Sequence, residues 1–201
     1  MAHLEPVPAR GAGVFVRFVY WMTRRRLGRV PTPIGIMAHH RGILAAMGAF
    51  ELGLERARDV DAQLKALAML KTASLVGCRF CIDIGASEAR GHGVGDAKLL
   101  ALPFHETSPA LTALERNVLD YAVQMTATPS SPDPDVLRAL ERELGVPALV
   151  ELTAAIAWEN FRARFNHAVG ATEEGFSQGL VCLLPPTPTT PIEPSESLHG
   201  R

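Results

Sequence analysis

The chain is predicted to be all-α, and three observations say so. No sustained period-two alternation of β-branched residues occurs, so strands leave no signal. Apolar residues instead recur three and four apart, as in Leu111, Leu114, Val118, Tyr121, Ala122 and Met125, which share one helical face. Two pairs of a capping residue followed by proline, Ser108-Pro109 and Asp133-Pro134, read as helix starts. With 201 residues, 47% hydrophobic and 20% charged, the chain can bury one core and is short for two independent domains.

Residues 1–13 hold two prolines and two glycines and read as a loose arm; residues 14–184 form the expected domain. A first helix over Val14 to Leu27 packs Phe15, Phe18, Val19 and Met22 onto the core or a neighbouring subunit. Pro31 and Pro33 force a turn. Ile34 to Leu54 follows as a helix, with a break expected at Gly42 or Gly48. It carries His39 and His40, which point about 100° apart as helical neighbours and so make a poor joint metal site. Solvated or hydrogen-bonded roles suit them better. Asp59 or Asp61 caps the next helix, whose Ala66 to Val76 portion has Lys71 as its single charge and reads as buried on most sides. Gly77 interrupts it. From Cys78 the positions Cys78, Cys81, Ile82, Gly85, Ala86 and Ala89 fall on one helical face.

GHGVG then connects to a short helix, Ala97 to Leu102, capped by Asp96 and stopped by Pro103. Ser108-Pro109 opens the amphipathic helix named above. After the turn cluster TPSSPDPD comes a helix from Asp135 to Leu144, closed by Gly145. Pro147 starts a long helix to Ala168, with Leu149, Val150, Thr153, Ile156, Ala157, Asn160 and Phe161 expected inward and Gly170 as its stop. Residues 185–201 contain five prolines among serines and threonines and read as a tail.

Composition narrows the partners. Lys and Arg number 20 against 21 Asp and Glu, so nothing global calls for a polyanion, and nucleic acid is not expected. Residues 1–41 are locally basic, seven arginines against Glu5 alone. A basic amphipathic segment can lie on a membrane surface, but a packed helix with solvated arginines is the reading adopted, without a membrane partner. The apolar run Val14 to Met22 is broken by Arg17, is too short to span a bilayer, and has its arginines on the wrong side for a signal peptide. Three cysteines, an odd number, do not make a secreted disulfide framework, which points to a reducing, cytoplasmic setting.

The chemistry sits in Cys78-Arg79-Phe80-Cys81. A thiolate is the reactive form, and a free cysteine with pKa about 8.5 is only a few per cent ionised at neutral pH. The helix start and Arg79 both favour an anion, and by that local argument Cys78 is the more acidic sulfur. Zinc is the rival use of the pair, but a structural site needs four ligands and no second CxxC or spaced histidine pair exists, so neither metal nor cofactor is expected. Cys182 reads as a small buried apolar residue.

The stretches LKTASLVGCRFCIDIGASEARGHG, ALTALERNVLDYAVQMT and LVELTAAIAWENFRARFNHAVG resemble the carboxymuconolactone decarboxylase-like family, in its alkylhydroperoxidase (AhpD-like) branch, over roughly Arg29 to Gly170. The resemblance implies an AhpD-like helical bundle with the CxxC at the start of a core helix, and homo-oligomers such as trimers or hexamers. It implies a thiol-disulfide oxidoreductase acting on a small hydroperoxide or disulfide, with an external thiol reductant. Cys81 then matches the attacking cysteine and Cys78 the resolving one.

Two family positions differ. The glutamate twelve residues before the first cysteine is Ala66 here, and the histidine four after the second is Gly85. In the family those groups form the proton relay that makes the thiolate. His167 and His92 are the candidate replacements, with His105, Glu151 and Glu159 as further ionisable groups whose positions the sequence leaves open. Gly85, costing about 1 kcal/mol against alanine inside a helix, either lets another helix pack against the cysteine face or leaves room beside the sulfur; packing is the preferred reason. The alternatives to a peroxidase are a degenerate oligomeric scaffold or redox sensor, and a lactone decarboxylase of the kind that names the wider family.

Overall fold

The computed structural model describes residues 2–177, and among these every regular element is a helix. The elements are α1 (Val14–Leu27), α2 (Thr32–Met37), α3 (Arg41–Arg56), α4 (Ala62–Val76), α5 (Arg79–Gly91), α6 (Asp96–Ala101), a 3-10 turn (Leu102–Phe104), α7 (Ala113–Thr126), α8 (Pro134–Leu144) and α9 (Val146–Ala168). The expected tail, residues 185–201, and Cys182 lie outside the described residues.

Helix α4 is the axis of the fold: α5, α7 and α9 all pack against it. One side of the core joins Leu67, Leu70, Cys78, Cys81, Leu99, Leu102, Leu119 and Ala163; the other joins Leu64, Ala68, Val118, Leu140, Leu152 and Ile156. Lys71, expected as the lone charge of α4, is buried and donates from Nζ to the Leu102 carbonyl at 2.9 Å. Burial shifts its pKa downward.

Helices α1 to α3 form an added layer with its own small core of Val16, Tyr20, Ala38 and Leu44. The arm is tied down rather than loose: the His3 N–H donates to the Val169 carbonyl at 2.9 Å and Val7 N–H to Gly35 O at 3.0 Å. Tyr20 Oη also donates to Val7 O at 2.7 Å.

Several expected boundaries move, each for a local reason. The break between α2 and α3 falls at Ala38–His40 and not at a glycine, because His40 turns extended and its Nδ1 accepts the Ile43 N–H, making it the N-cap of α3. His39 bonds the Glu5 carbonyl. Asp61, not Asp59, caps α4, accepting from Gln63 and Leu64. Asp96 is the first helical residue of α6, with Gly95 as its cap, and Pro103 sits inside the following 3-10 turn instead of stopping the chain. Helix α7 begins at Ala113 and not at Pro109, because Thr112 and Glu115 exchange hydrogen bonds in a capping box.

Helix α9 is the largest correction. Its buried side is Ala148, Glu151, Leu152, Ala155, Ile156, Trp158, Glu159, Ala163 and Asn166, whereas Val150 and Phe161 are 63% and 49% exposed. The real inward face is rotated from the expected one, and it carries two carboxylates.

Candidate active site

Gly77 closes α4 in the left-handed conformation at φ 77°, which only glycine adopts at little cost, and the chain turns straight into α5. That turn places Cys78 at the N-cap of α5. Its Sγ accepts the Cys81 N–H at 3.2 Å, and the two cysteines are joined as a disulfide with Cα atoms 5.3 Å apart. Both are buried in the core cluster. From α9, Asn166 Nδ2 donates to Cys81 Sγ at 3.3 Å.

Cys81 also borders a cavity of about 70 Å³ lined by residues of α4, α5 and α9. The α5 wall is Cys81, Gly85, Glu88 and His92, a stripe at spacings of four, three and four. The α4 wall includes Ala66 and Leu70, and α9 contributes Glu159 and Arg162. So the two positions where the family carries its relay, Ala66 and Gly85, face the sulfur's cavity here as small side chains. A Cβ built on Gly85 would meet Leu70 Cδ1 at 3.4 Å, an ordinary contact. Packing therefore does not demand glycine, and Gly85 lines the cavity that Cys81 borders.

The acids around this cavity are unusual. Glu159 is 1% exposed; its Oε2 takes two bonds from Arg162, through Nε at 2.8 Å and through Nη2, while its Oε1 has no hydrogen-bond partner. Burial pushes its pKa up to about 7 against the pull of Arg162, with Glu51 and Glu88 adding to the rise. Glu88 also lines the cavity, at its exposed rim. Arg162 Nη1 also reaches Glu51 on α3 at 2.9 Å; burial works against the charge of this guanidinium, and Glu159, Glu51 and Glu88 together outweigh it and raise its pKa.

The other ionisable candidates are placed as follows. His92 lines the Cys81 cavity at the end of α5. His167 lines a separate hollow with Leu75, Val76, Thr126 and Arg164. His105 pairs with Asp120 at 2.9 Å, and these two with Glu106 are the one trio of potential metal-binding side chains among the described residues. Glu151 holds Lys65 at 2.5 Å and the N–H groups of Asp59 and Val60, which together keep its carboxyl low against burial. Asp83, pointing away from the cavity, accepts the N–H groups of Glu174, Phe176 and Ser177 at 2.7 to 3.0 Å and so straps the segment after α9 onto α5. Burial would raise its pKa, and those bonds outweigh it and hold it down. Arg79, next to the disulfide, pairs with Glu173 in the same strap.

The protein is thus an all-helical bundle with a CxxC turned over a helix start, and its second sulfur borders a hollow that glutamates help to line. The carboxymuconolactone decarboxylase family model matches residues 41–124. An uncharacterised Escherichia coli K12 protein, YnjA, is 31% identical over 166 residues, covering 82% of this chain and 88% of YnjA. The chain belongs to the carboxymuconolactone decarboxylase family. The alkyl hydroperoxide reductase Rv2159c of Mycobacterium tuberculosis is 29% identical over 130 residues, 65% of this chain and 37% of that protein. Among solved structures, the debrominase Bmp8 superposes with a TM-score of 0.79 at 22% identity, covering 90% of this chain and 96% of Bmp8. A peroxidase-related protein from Ralstonia eutropha JMP134, described as an alkylhydroperoxidase AhpD core, gives 0.77 at 15%, covering 88% and 94%. The fold is thus the AhpD-like one.

Proposed function

We propose that the protein is a thiol-disulfide oxidoreductase that reduces small hydroperoxides, cycling Cys78 and Cys81 between dithiol and disulfide. The observation that carries this reading is that Cys81 borders an acid-lined cavity while bonded to Cys78, so one sulfur meets a substrate and the other waits beside it. Kinship to an alkyl hydroperoxide reductase supports the substrate class.

In the proposed cycle the Cys81 thiolate attacks the outer oxygen of the hydroperoxide. The O–O bond breaks, an alcohol leaves after taking a proton, and Cys81 becomes a sulfenic acid. The Cys78 thiol then attacks the Cys81 sulfur, the S–O bond breaks, and water leaves as the disulfide forms. An external dithiol returns both electrons by thiol-disulfide exchange and is itself oxidised to a disulfide. The Asn166 amide, donating to Cys81 Sγ, stabilises negative charge on the attacking sulfur.

Assembly into a homo-oligomer belongs to the same proposal. Val14, Phe15, Phe18, Trp21 and Met22 form an exposed apolar stripe on α1, and Phe50 and Phe161 are exposed on either side of Trp158, against which both stack.

Peroxide consumption by the reduced protein, compared with Cys81→Ser, tests the activity. Consumption should fall to the background of free thiols in the variant. Equal rates would remove the peroxidase reading, and oxidation of Cys81 no faster than free cysteine would favour the scaffold.

A further inference from the structure

We infer that Glu159 is the group that exchanges the proton with Cys81, accepting it when the thiolate forms and delivering it to the leaving alkoxide. This rests on the peroxidase reading for its second half and stands without it for the first.

The argument is geometric. Glu159 and Cys81 line one cavity from two helices, α9 and α5, and Ala66 and Gly85 line it with them. A buried carboxylate oxygen without a partner is costly, so an unsatisfied oxygen on a residue that shares a cavity with a reactive sulfur asks for a reason. Glu159 Oε1 is such an oxygen, while Oε2 is anchored by Arg162, which fixes the carboxyl without blocking its free edge. Arg162 is in turn braced by Glu51 from another helix, so the acid is held rather than floating.

The charged groups acting on this carboxyl are Arg162 on α9, Glu51 on α3 and Glu88 on α5. Lys65 on α4 and His92, the C-cap of α5, line the same cavity, and Arg26 on α1 acts on Glu88. Lys65 is committed to Glu151 and Arg26 to Glu55, so Arg162 is the cation that answers three glutamates. The balance leaves Glu159 poised near neutrality, where an acid-base group works best.

Proton bookkeeping follows. Cys81–SH and Glu159–COO⁻ become S⁻ and COOH. The thiolate attacks, the O–O bond breaks, and the carboxylic acid protonates the departing alkoxide, which restores Glu159–COO⁻. The reactive pair holds one proton between its two members, so apparent pKa values belong to the pair. Peroxide attack, which needs that proton for the leaving group, should follow a bell in pH. Alkylation by iodoacetamide needs only the thiolate, and should rise through both apparent pKa values of the pair without falling.

The experiment follows both reactions on the full reduced chain across pH 5 to 10 (roughly one unit beyond each expected pKa). Trypsin cuts at Arg79, so the two cysteines fall on separate peptides and Cys81 is read alone by mass spectrometry. Glu159→Gln, which keeps an oxygen for Arg162, should slow peroxide oxidation about 100-fold and erase the limb near neutrality. Glu159→Asp should recover part of the rate and the limb. Peroxide rates within twofold of the parent, or an alkylation limb unchanged in Glu159→Gln, would overturn the inference. The parent's own two profiles decide it if the variant folds poorly: identical shapes for peroxide and iodoacetamide remove the proton-donor half. A parent inert to peroxide whose alkylation limb still depends on Glu159 would sink the peroxidase reading and leave Glu159 as the proton acceptor of Cys81.

Discussion

One buried carboxylate, Asp83, lies on the cysteine helix and another, Glu159, comes from α9, and they differ in everything except burial. Asp83 and Glu159 are each 1% exposed. Asp83 has both oxygens occupied by three backbone N–H groups, so its charge is solvated by the protein and its pKa falls. Glu159 has one oxygen on Arg162 and one on nothing, and its pKa climbs to about 7. The comparison teaches that burial alone does not mark a functional acid. What separates a structural staple from a proton carrier is whether its lone pairs are already committed.

The sharpest way to break this contrast is to exchange its consequences. Asp83→Asn removes a charged acceptor from three N–H groups, each such bond being worth about 1.5–3 kcal/mol. It should cost about 3 kcal/mol in denaturant unfolding yet leave the pH profile of Cys81 oxidation in place; a displaced profile would mean the two acids are not separate devices. The same carboxylate makes a pH prediction. Its folded pKa lies below the unfolded value of about 3.9. Its contribution is therefore complete above that value and lost as pH falls through the lower folded one. Acid-titrated unfolding should show the parent losing stability below about pH 4 and Asp83→Asn losing less.

A smaller effect sharpens the other side. Ala66→Glu puts a further carboxylate into the cavity, and like charge disfavours ionisation of its neighbour. The first rise of Cys81 alkylation should move to higher pH by about one unit, read from the same peptide. Smallest of all is Gly85→Ala. The added methyl meets Leu70 at an ordinary contact distance, so helix propensity should win, with stability rising by about 0.5–1 kcal/mol in urea titration.

Much of this was readable in the sequence, for reasons that also explain what was not. Asp61, Asp133 and Gly145 mark helix ends because capping is local chemistry, carried by a residue and its next three neighbours. The CxxC turn is local too. His40 as a cap went unread because histidine is a rare choice there, and Pro109 gave a stronger start signal than the Thr112–Glu115 box that actually opens α7. On α9 the bulky Val150 and Phe161 drew the predicted face toward themselves, although both are exposed. Leu152, Ile156, Glu159, Ala163 and Asn166 repeat at four, three, four and three, and a glutamate inside such a stripe is the signal that could have found the cavity acid. The meeting of Glu159 with Cys81 is a tertiary fact, set by how α9 crosses α5, and no local pattern encodes it.

The vacancy at Ala66 and Gly85 also bears on how relatives of this chain are to be recognised. A fixed pattern of residues counted outward from the two cysteines scores this protein as incomplete, because the carboxyl sharing the sulfur's cavity arrives 78 positions downstream on a different helix. Homologues are better compared by asking which side chains reach that small hollow than by which letters flank the CxxC.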